Sequence, residues 1–399
     1  PAPSERIAMA CIGVGGRCGT NLGIFEGTNE VVIVAVCEID SRHLSRGLQR
    51  AGLDAKSGYH EFRDVLKRKD IDAVMVGTPD HWHALVTIAA IQAGKDVYCE
   101  KPLAASVAES QAVVRAVQKS DRILQCGTQR RSMSTCRFAC ELVRNGRIGK
   151  LRRVECGVPG RFAIRGGYTG LEAPQSIPKE FDYKRWLGPC DEAPYTAARC
   201  HFNFRWVNDY APGYITDWGA HYLDIAAWGI GMDESGPSEI EALDVRTRKK
   251  GIYDAPESFQ VVYRYPNGVE AVLISTTDTS RYGMKFIGDE GTVFVEGQKV
   301  VTTPSSMATT KIKDSEIRLY DAKNDHHGNF VDCVRSRKQP SAPVHIAHRS
   351  ASICEIGAIS CELGRKLRWD PKAEKFIDDK EADRKLSRPM RDPWSLPKV

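Results

Sequence analysis

The chain has 399 residues and a net charge of +6, and 42% of its residues are hydrophobic while 27% are charged. These values are typical of a globular protein, and the length favours two or three domains. No apolar run reaches the roughly 18 residues of a membrane-spanning helix, so no membrane partner is predicted. The basic residues are spread along the chain, with the densest stretch at residues 384–391. This distribution argues against a nucleic-acid-binding surface.

The cysteines indicate a reducing environment. There are 13, an odd number, and several lie within or at the end of apolar, strand-like runs, namely Cys11, Cys37, Cys99 and Cys126. Such thiols are typically buried and free rather than paired in a disulfide framework. Because free thiols persist where the surroundings are reducing, the cysteine pattern predicts a cytoplasmic protein.

The first part of the chain alternates strand-like and helix-like runs. Strands are predicted at 6–12, 31–37, 72–78, 96–100 and 123–127, and helices at 83–94 and 106–119. The strands are short, apolar and rich in Val and Ile, as expected of a parallel sheet that is covered on both faces. Residues 1–128 are therefore predicted to form an α/β domain.

The pattern changes after Gln129. A helix is predicted at 134–145, a strand at 152–158, hairpins at 259–276 and 284–297, and helices at 326–337 and 346–365. Pro266-Asn267-Gly268 supplies the turn of the first hairpin. Residues 129–370 are thus predicted to form an α+β domain with a large, mostly antiparallel open sheet. The charged, proline-punctuated residues 371–399 are predicted to be a C-terminal arm on the surface.

The stretch GVGGRCG, which starts at Gly13, directly follows the first predicted strand. Gly13 and Gly15 occupy the first two glycine positions of the dinucleotide-binding pattern G-x-G-x-x-G, and Cys18 takes the third. These positions permit a tight turn, close approach of a pyrophosphate, and close packing of helix on strand. The helix that begins around Gly16 and Arg17 would offer its unpaired N–H groups to the phosphates. The stretch by itself is equally compatible with a strand-turn-helix that binds no ligand.

An acidic residue ends the second predicted strand. Glu38 lies twenty positions after Cys18, where the pattern calls for a carboxylate that accepts hydrogen bonds from ribose hydroxyls. That carboxylate would repel the 2′-phosphate of NADP, so residues 1–128 are predicted to be a Rossmann domain that binds NAD. Arg42 is close enough in sequence to receive such a phosphate, which keeps NADP as the less favoured cofactor. A solvated strand-end acid is the alternative for Glu38.

Two further strand ends carry distinctive residues. The run GTPDHWHA at 77–84 ends one predicted strand, and CEKPLA at 99–104 ends the next. Because open parallel sheets bind ligands outside the carboxyl ends of their strands, both runs point at the same crevice as the glycine loop.

Together these motifs resemble the glucose–fructose oxidoreductase / inositol dehydrogenase / MocA (Gfo/Idh/MocA) family. The resemblance rests on the Gly13 loop, on Thr78-Pro79, on Glu100-Lys101-Pro102, and on the run GYITDWGAHYLD, where Gly213, Asp217, Gly219, His221 and Asp224 keep the family's spacing. Residues 325–344 and the helix after them also look like the family's C-terminal part, so the likeness covers nearly the whole chain. Cys18 departs from the family, which usually has Gly or Ala there.

The resemblance implies roles for the matching residues. Lys101 would contact the reacting hydroxyl as general base or proton relay, and Asp217 and His221 would complete the catalytic set. The predicted substrate-binding residues are Arg131, Arg205, Trp206, Asp217 and His221. The predicted cofactor-binding residues are Gly13, Gly15, Gly16, Arg17, Cys18, Glu38, Thr78, Pro79, His81, His83, Glu100, Lys101 and Gln129.

The chemistry agrees with these roles. Oxidation of an alcohol by NAD⁺ requires removal of the hydroxyl proton as hydride leaves the same carbon, and burial beside a nicotinamide cation lowers the pKa of a lysine toward the useful range. Asp217 and His221 are four residues apart, so on a helix they would share a face. The simpler alternatives are a surface lysine, Asp217 as the N-cap of a helix at 218–230, core positions for His221 and Trp206, and solvated arginines.

Three pairs of histidines lie close in sequence: His81 and His83, His326 and His327, and His345 and His348. None of these pairs has the Cys or acidic complement of a structural zinc site. Cys136 and Cys140 are four residues apart, but no second pair lies near them. No metal site is therefore predicted.

The leading prediction is an NAD-dependent oxidoreductase that acts on a secondary hydroxyl of a sugar, inositol or glycoside. The alternative is a glycoside-cleaving enzyme that retains NAD and works by oxidation, elimination, hydration and reduction; some relatives work this way, but the Thr-His-Gly motif of their best-known branch is missing here. A non-catalytic binding protein is disfavoured by the joint presence of Lys101, Asp217 and His221. The resemblance also implies a homo-oligomer, a dimer or a tetramer, and leaves twin-arginine export to the periplasm as an alternative location.

Overall fold

Six short strands form a parallel sheet in the order β3–β2–β1–β4–β5–β6. The computed structural model describes residues 5–398; residues 1–4 and 399, which the predicted ranges 1–128 and 371–399 include, lie outside the described residues. The strands are β1 (Ile7–Ile12), β2 (Val31–Cys37), β3 (Gly58–Tyr59), β4 (Ala73–Val76), β5 (Asp96–Cys99) and β6 (Leu124–Cys126). Five of them confirm the predicted strands to within two residues at each end. β3 has no predicted counterpart, because two residues leave no hydrophobic pattern.

Helices follow these strands and form a hydrophobic core on each face of the sheet. They are α1 (Arg17–Gly27), α2 (Ser41–Arg50), α3 (Phe62–Leu66), α4 (Asp80–Gln92) and α5 (Val107–Gln118). The helix predicted at 106–119 is confirmed as α5, whose N-cap Ser106 accepts a hydrogen bond from the Glu109 N–H at 3.3 Å. The helix predicted at 83–94 begins three residues earlier, because Pro79 is its N-cap.

The strand order reverses between β1 and β4, which lie side by side in parallel. The connections that leave these two strands diverge to opposite sides, so a crevice opens beyond their carboxyl ends. Gly13 and Gly77 are the first residues after the two strands. The Gly77 N–H donates to the carbonyl of Ile12 at 2.9 Å, which keeps the strand ends together. This crevice is where a doubly wound sheet binds its ligand.

The second part of the chain forms a nine-stranded sheet in the order β13–β12–β11–β7–β10–β9–β8–β14–β15. The strands are β7 (Leu151–Pro159), β8 (Glu239–Arg246), β9 (Ser258–Arg264), β10 (Glu270–Thr276), β11 (Gly283–Gly288), β12 (Thr292–Glu296), β13 (Lys299–Thr303), β14 (Leu367–Asp370) and β15 (Lys375–Phe376). The predicted hairpins are confirmed as β9–β10 and β11–β12. β7 and β10 pair in parallel, so the sheet is mixed but mostly antiparallel, as predicted.

One face of this sheet is covered by helices. The helices of this part are α6 (Ser134–Arg144), α7 (Tyr183–Leu187), α8 (Tyr214–Asp217), α9 (Gly219–Ile230), α10 (His326–Ser336), α11 (Val344–Leu363) and α12 (Lys380–Arg384). Trp228 of α9, Phe286 of β11 and Ile356 of α11 are buried in the shared core. The helices predicted at 134–145, 326–337 and 346–365 are confirmed to within two residues.

Two expectations from composition can be compared with the structure. All thirteen cysteines are buried and free, as predicted. Within residues 5–398, no helix combines the length and the apolar character needed to cross a membrane.

Helix α10 returns to the first sheet. Phe330 and Val334 of α10 are buried in one hydrophobic core with Met9 of β1 and Phe25 of α1. The rings of Phe25 and Phe330 meet edge to face, with their centroids 5.9 Å apart. The range 129–370, predicted as a second domain, therefore contains a helix that packs with the first domain.

Two other segments run across the boundary between the sheets. Glu180 lies in the long connection between β7 and α8. Its carbonyl accepts a hydrogen bond at 2.8 Å from the N–H of Ser41, the first residue of α2. After β15, Trp394 packs edge to face against Trp82 of α4, with ring centroids 4.8 Å apart. The first contact joins the second domain to the Rossmann domain, and the second joins the C-terminal arm to it.

Candidate active site

The glycine loop joins β1 to α1 at the crevice. Gly13 has a φ of +77°, and a Cβ there would lie 2.7 Å from the Thr78 nitrogen, so glycine is required where the ends of β1 and β4 meet. Gly16 is the N-cap of α1, and no side chain caps this helix. The N–H groups of its first turn, which starts at Arg17, are therefore available for a pyrophosphate.

Cys18 fills the third position of the loop by packing against Gly77. Its side chain is buried, and a Cβ on Gly77 would lie 2.2 Å from its Sγ atom. Burial raises the pKa of the Cys18 thiol well above its usual range, so the thiol stays neutral. The glycine at position 77 thus provides the space that the Cys18 side chain needs.

Replacing Gly77 with alanine should destabilise the protein by about 2–3 kcal/mol, because the new Cβ would overlap the Cys18 side chain. Adding Cys18→Gly should recover most of this loss by removing the overlapping atoms, although Cys18→Gly alone costs about 1 kcal/mol as a glycine in a helix. Urea unfolding of the wild type, both single variants and the double variant measures the coupling. If the change in the free energy of unfolding of the double variant equals the sum of the two single changes to within about 0.5 kcal/mol, the side chains at positions 18 and 77 do not compete for the same space.

Glu38 fastens the end of β2 to the glycine loop. Its carboxylate accepts hydrogen bonds from the N–H groups of Val14 at 3.0 Å, Ile39 at 2.8 Å and Asp40 at 3.2 Å. A carboxylate offers about four lone pairs, so it can still accept a bond from a ribose hydroxyl. Its place beside the loop suits the predicted ribose contact, and its bonds add a structural role that the sequence did not indicate.

Two of the predicted cofactor-binding side chains, those of His83 and Glu100, hold the strand ends in place. The ring nitrogens of His83 lie 2.8 Å from the carbonyl oxygen of Thr78 and 2.6 Å from that of Pro102, so His83 bridges the ends of β4 and β5. The buried Glu100 carboxylate accepts a hydrogen bond from the Asn21 amide of α1 at 2.6 Å. Asn21 was not selected from the sequence, because nothing in its helix marks it as a partner for a residue so far along the chain.

Several buried polar atoms in this part of the molecule have no hydrogen-bond partner among the described residues, and they include Thr78 Oγ1, Gln129 Oε1 and His221 Nδ1. Buried polar atoms in native proteins are nearly always satisfied, so these atoms indicate that a polar ligand completes their bonding. The amide and ribose hydroxyls of a nicotinamide nucleotide supply such groups. The residues present therefore fit the predicted cofactor.

Lys101 reaches the second domain through an ion pair with Asp217. Its Nζ donates to Asp217 Oδ1 at 2.7 Å and to the Asp217 carbonyl oxygen at 2.5 Å. Arg205 Nε donates to the same carboxylate oxygen at 3.2 Å. Burial opposes ionisation of Asp217, but the charges of Lys101 and Arg205 outweigh it and hold the pKa of this carboxyl well below its usual range. The carboxylate therefore stays ionised and fixes both cations.

Asp217 and His221 lie on two successive short segments. Asp217 ends α8, and Trp218 is the N-cap of α9, so the alternative in which Asp217 caps a helix at 218–230 is wrong. His221 lies in the first turn of α9, beside the ion pair. Burial, followed by the positive charge of Lys101, lowers the pKa of His221 well below its usual range. The imidazole is therefore neutral.

Asp80, the first residue of α4, belongs to the same electrostatic group. Burial raises the pKa of its carboxyl to about 7, and the charges of Arg205, Asp217 and Lys101 also act on it. Asp80 was not among the predicted site residues, although its position directly after Thr78-Pro79 at a strand end was a usable signal. Its ionisation near neutral pH would add a second negative charge beside Asp217.

Arg131 serves the interior of the protein, which corrects the prediction that it binds substrate. Its side chain is 4% exposed. Its Nε donates to both carboxylate oxygens of Asp224 at 2.9 and 2.8 Å, and its Nη2 donates to Asp233 at 3.1 Å. These bonds tie the turn after β6 to α9 and use the guanidinium group internally. Asp224, which keeps the family's spacing, is its structural partner.

Trp206 and His81 are likewise core residues, which corrects their predicted contacts with substrate and cofactor. Trp206 is fully buried, and its indole stacks on Phe162 with ring centroids 4.6 Å apart. His81 is buried with its Nε2 2.8 Å from the carbonyl oxygen of Trp186. Each therefore packs the connection that leads to Asp217, although His81 Nδ1 and Trp206 Nε1, like His221 Nδ1, have no partner among the described residues. The core alternative for Trp206 was the correct one.

Two family models match the chain. Residues 7–128 match a model described as "Oxidoreductase family, NAD-binding Rossmann fold". Residues 136–396 match one described as "Oxidoreductase family, C-terminal alpha/beta domain". Inositol 2-dehydrogenase of Salmonella paratyphi B is 32% identical over 162 residues, which are 39% of this chain and 47% of that protein. The matched part thus spans about half the length of this curated relative.

Solved structures share the fold across both domains. Aldose-aldose oxidoreductase from Caulobacter crescentus superposes with a TM-score of 0.68 at 18% identity, over 91% of this chain and 99% of that chain. The WlbA dehydrogenase from Bordetella pertussis, in complex with NADH and UDP-GlcNAcA, gives a TM-score of 0.67 at 19% identity, over 91% and 98%. With both domain models matched in order along it, the chain belongs to the Gfo/Idh/MocA oxidoreductase family, and its N-terminal domain is an NAD-binding Rossmann fold.

Proposed function

We propose that the protein is an NAD-dependent oxidoreductase that oxidises a secondary hydroxyl of a sugar, an inositol or a glycoside. The observation that carries this proposal is the 2.7 Å contact between Lys101 and Asp217, because it places a proton-handling group where the two domains meet at the crevice. The likeness to a curated inositol 2-dehydrogenase and to a dehydrogenase solved with NADH supports the same class of reaction.

Residues of the Rossmann domain would hold the cofactor. The loop from Gly13 to Arg17 would bind the pyrophosphate, and Glu38 would accept a hydrogen bond from the adenosine ribose. The buried side-chain oxygens of Thr78 and Gln129 would form hydrogen bonds with the nicotinamide half of the cofactor. When bound, NAD⁺ supplies the acceptor for a hydride, at C4 of its nicotinamide ring.

The remaining residues would handle the hydroxyl group. The reaction removes a hydride from the carbon and a proton from the oxygen, which leaves a carbonyl. A lysine ammonium has three N–H donors, and two of those on Lys101 go to Asp217, so one is left for the substrate oxygen. The hydroxyl proton would pass to solvent through Lys101 and the neutral His221. Arg205 keeps the Asp217 carboxylate in position.

Incubation with NAD and a panel of inositols, aldoses and glycosides tests this proposal. We expect NADH to accumulate with at least one of these substrates. If cofactor is bound and no NADH appears with any of them, simple dehydrogenase action is contradicted. Under those conditions, deuterium from the solvent at C2 of a product sugar would instead support the oxidation–elimination–hydration–reduction route.

We also propose that the protein forms a homo-oligomer through the outer face of the nine-stranded sheet. Charged side chains pair across the strands of that face, as Arg264 does with Glu241 at 2.9 Å and with Glu270 at 3.0 Å. A surface that carries both signs of charge can complement itself about a two-fold axis. Light scattering should therefore report a dimer or a tetramer, and the mass of a monomer would contradict this interface.

A further inference from the structure

Two histidines from different domains face one buried carboxylate at the end of β2. Asp40 and His43 belong to the start of α2, and His201 lies in the connection between β7 and α8. His201 Nε2 is 3.7 Å from Asp40 Oδ2, and the two imidazole centroids are 5.0 Å apart. One ligand atom from each of the three residues lies within 4.8 Å of the other two. We propose that Asp40, His43 and His201 form a binding site for a divalent transition-metal ion such as Zn²⁺.

The three side chains have the composition that such an ion prefers. Imidazole nitrogen and carboxylate oxygen bind Zn²⁺ at about 2.0–2.2 Å, and three protein ligands leave a fourth position for water. Ligand atoms of a tetrahedral site are about 3.3 Å apart, so the rings need to move by about 1 Å to close around an ion. Both imidazoles are partly exposed, which leaves them room for this rotation.

The two histidines are free to bind a metal ion. Neither imidazole forms a hydrogen bond with another residue in the part of the chain that the structure describes, whereas both ring nitrogens of the buried His83 and His326 have partners. Metal binding requires the neutral form of imidazole.

The carboxylate is held in a fixed direction by hydrogen bonds. Asp40 is the N-cap of α2 and accepts from the Arg42 N–H at 2.9 Å, while the Arg42 guanidinium donates to both carboxylate oxygens at 3.2 and 3.0 Å. Hydrogen bonds of this kind orient the ligands of metal sites. Oδ2 keeps a lone pair on the side of His201.

The backbone brings the third ligand to this place. His201 has a φ of +53°, a left-handed conformation that costs a residue with a side chain about 1 kcal/mol or more. The connection that carries it is already fastened to the end of β2 by the bond between Ser41 and Glu180. The site therefore links the two domains outside the proposed catalytic group, and an ion bound there would stabilise their docking.

Titration of the tag-free protein with Zn²⁺ tests the site. We expect one ion to bind per chain, and His201→Gln and His43→Gln each to weaken binding by at least about tenfold, because each removes one of three protein ligands. His345→Gln, which changes an exposed histidine of α11, is the matched control and should bind as the wild type does. Wild-type affinity in both His201→Gln and His43→Gln would overturn the proposal.

Two further measurements separate this site from other sources of metal binding. Co²⁺ in place of Zn²⁺ should give a visible spectrum of nitrogen and oxygen ligands, and a thiolate charge-transfer band would instead assign the ion to cysteines and overturn the proposal. If a variant does not fold, hydrogen exchange at the backbone amides of the wild type, with and without Zn²⁺, still tests the site. Zn²⁺ should slow exchange at 39–43 and 180–201, and no change in either segment would contradict a link between the domains.

Discussion

Replacing Lys101 with methionine should lower turnover by about 10²–10⁴-fold while leaving NAD affinity within a few-fold of the wild type. Methionine keeps much of the length of the side chain but removes the donor that remains for the substrate oxygen. The Asp217 carboxylate would keep its bond from Arg205, so the variant does not leave an unpaired buried charge. Initial rates of NADH formation with the best substrate of the panel measure the effect.

The Lys101 experiment needs a control for the loss of a positive charge. Lys69→Met removes an exposed lysine of the same domain and should leave both turnover and cofactor affinity unchanged. Equal thermal unfolding midpoints would show that neither substitution disturbs the fold. Turnover within threefold of the wild type in Lys101→Met would exclude this residue from the chemistry, whatever the cofactor.

Replacing Gly15 with valine should weaken NAD binding by more than about 100-fold, or about 3 kcal/mol. A Cβ at this position would lie 3.3 Å from His43 Nδ1, and the branched methyl groups would occupy the space through which a pyrophosphate approaches the loop. Cys18→Gly should bind NAD at least as well as the wild type, because it restores the usual third residue of the pattern. Binding can be followed by calorimetry.

Gly23→Val is the matched control for the Gly15 variant. Gly23 lies on α1, the helix that follows the loop, and a Cβ there would have no atom within 4 Å, so the added side chain projects into open space. This variant should bind NAD as the wild type does. Unchanged affinity in Gly15→Val, with the fold intact, would overturn the assignment of the loop to the pyrophosphate.

The parts of the site that could be predicted from sequence are those that follow parallel strands. Gly13, Glu38 and Lys101 each come directly after an apolar run, and the geometry of a doubly wound sheet brings such positions to one crevice. The residues next to them in sequence could be inferred as well, because each motif spans only a few consecutive positions. This is why five of the six strands of the first sheet are predicted to within two residues, while the two-residue β3 is not.

The remaining features depend on contacts between residues that are distant in sequence. Arg131 lies two residues after Gln129, a predicted cofactor-binding residue. The direction of the Arg131 side chain is nevertheless set by ion pairs with Asp224 and Asp233, and no local sequence pattern reveals these partners. His43 and His201 are brought together only by the docking of the two domains. Histidines paired by sequence distance, such as His326 and His327, instead fill the core. Sequence spacing therefore locates strand ends well and tertiary partners poorly.

The return of α10 to the first sheet has a consequence for the order in which the protein assembles on the ribosome. The aromatic ring of Phe25 is covered on one side by Phe330, which is synthesised some three hundred residues later. A nascent chain that ends shortly after β6 would therefore expose the surface that α10 later covers, and its cofactor domain would be incomplete. Any attempt to graft this domain onto another partner would have to carry residues 326–336 along with it.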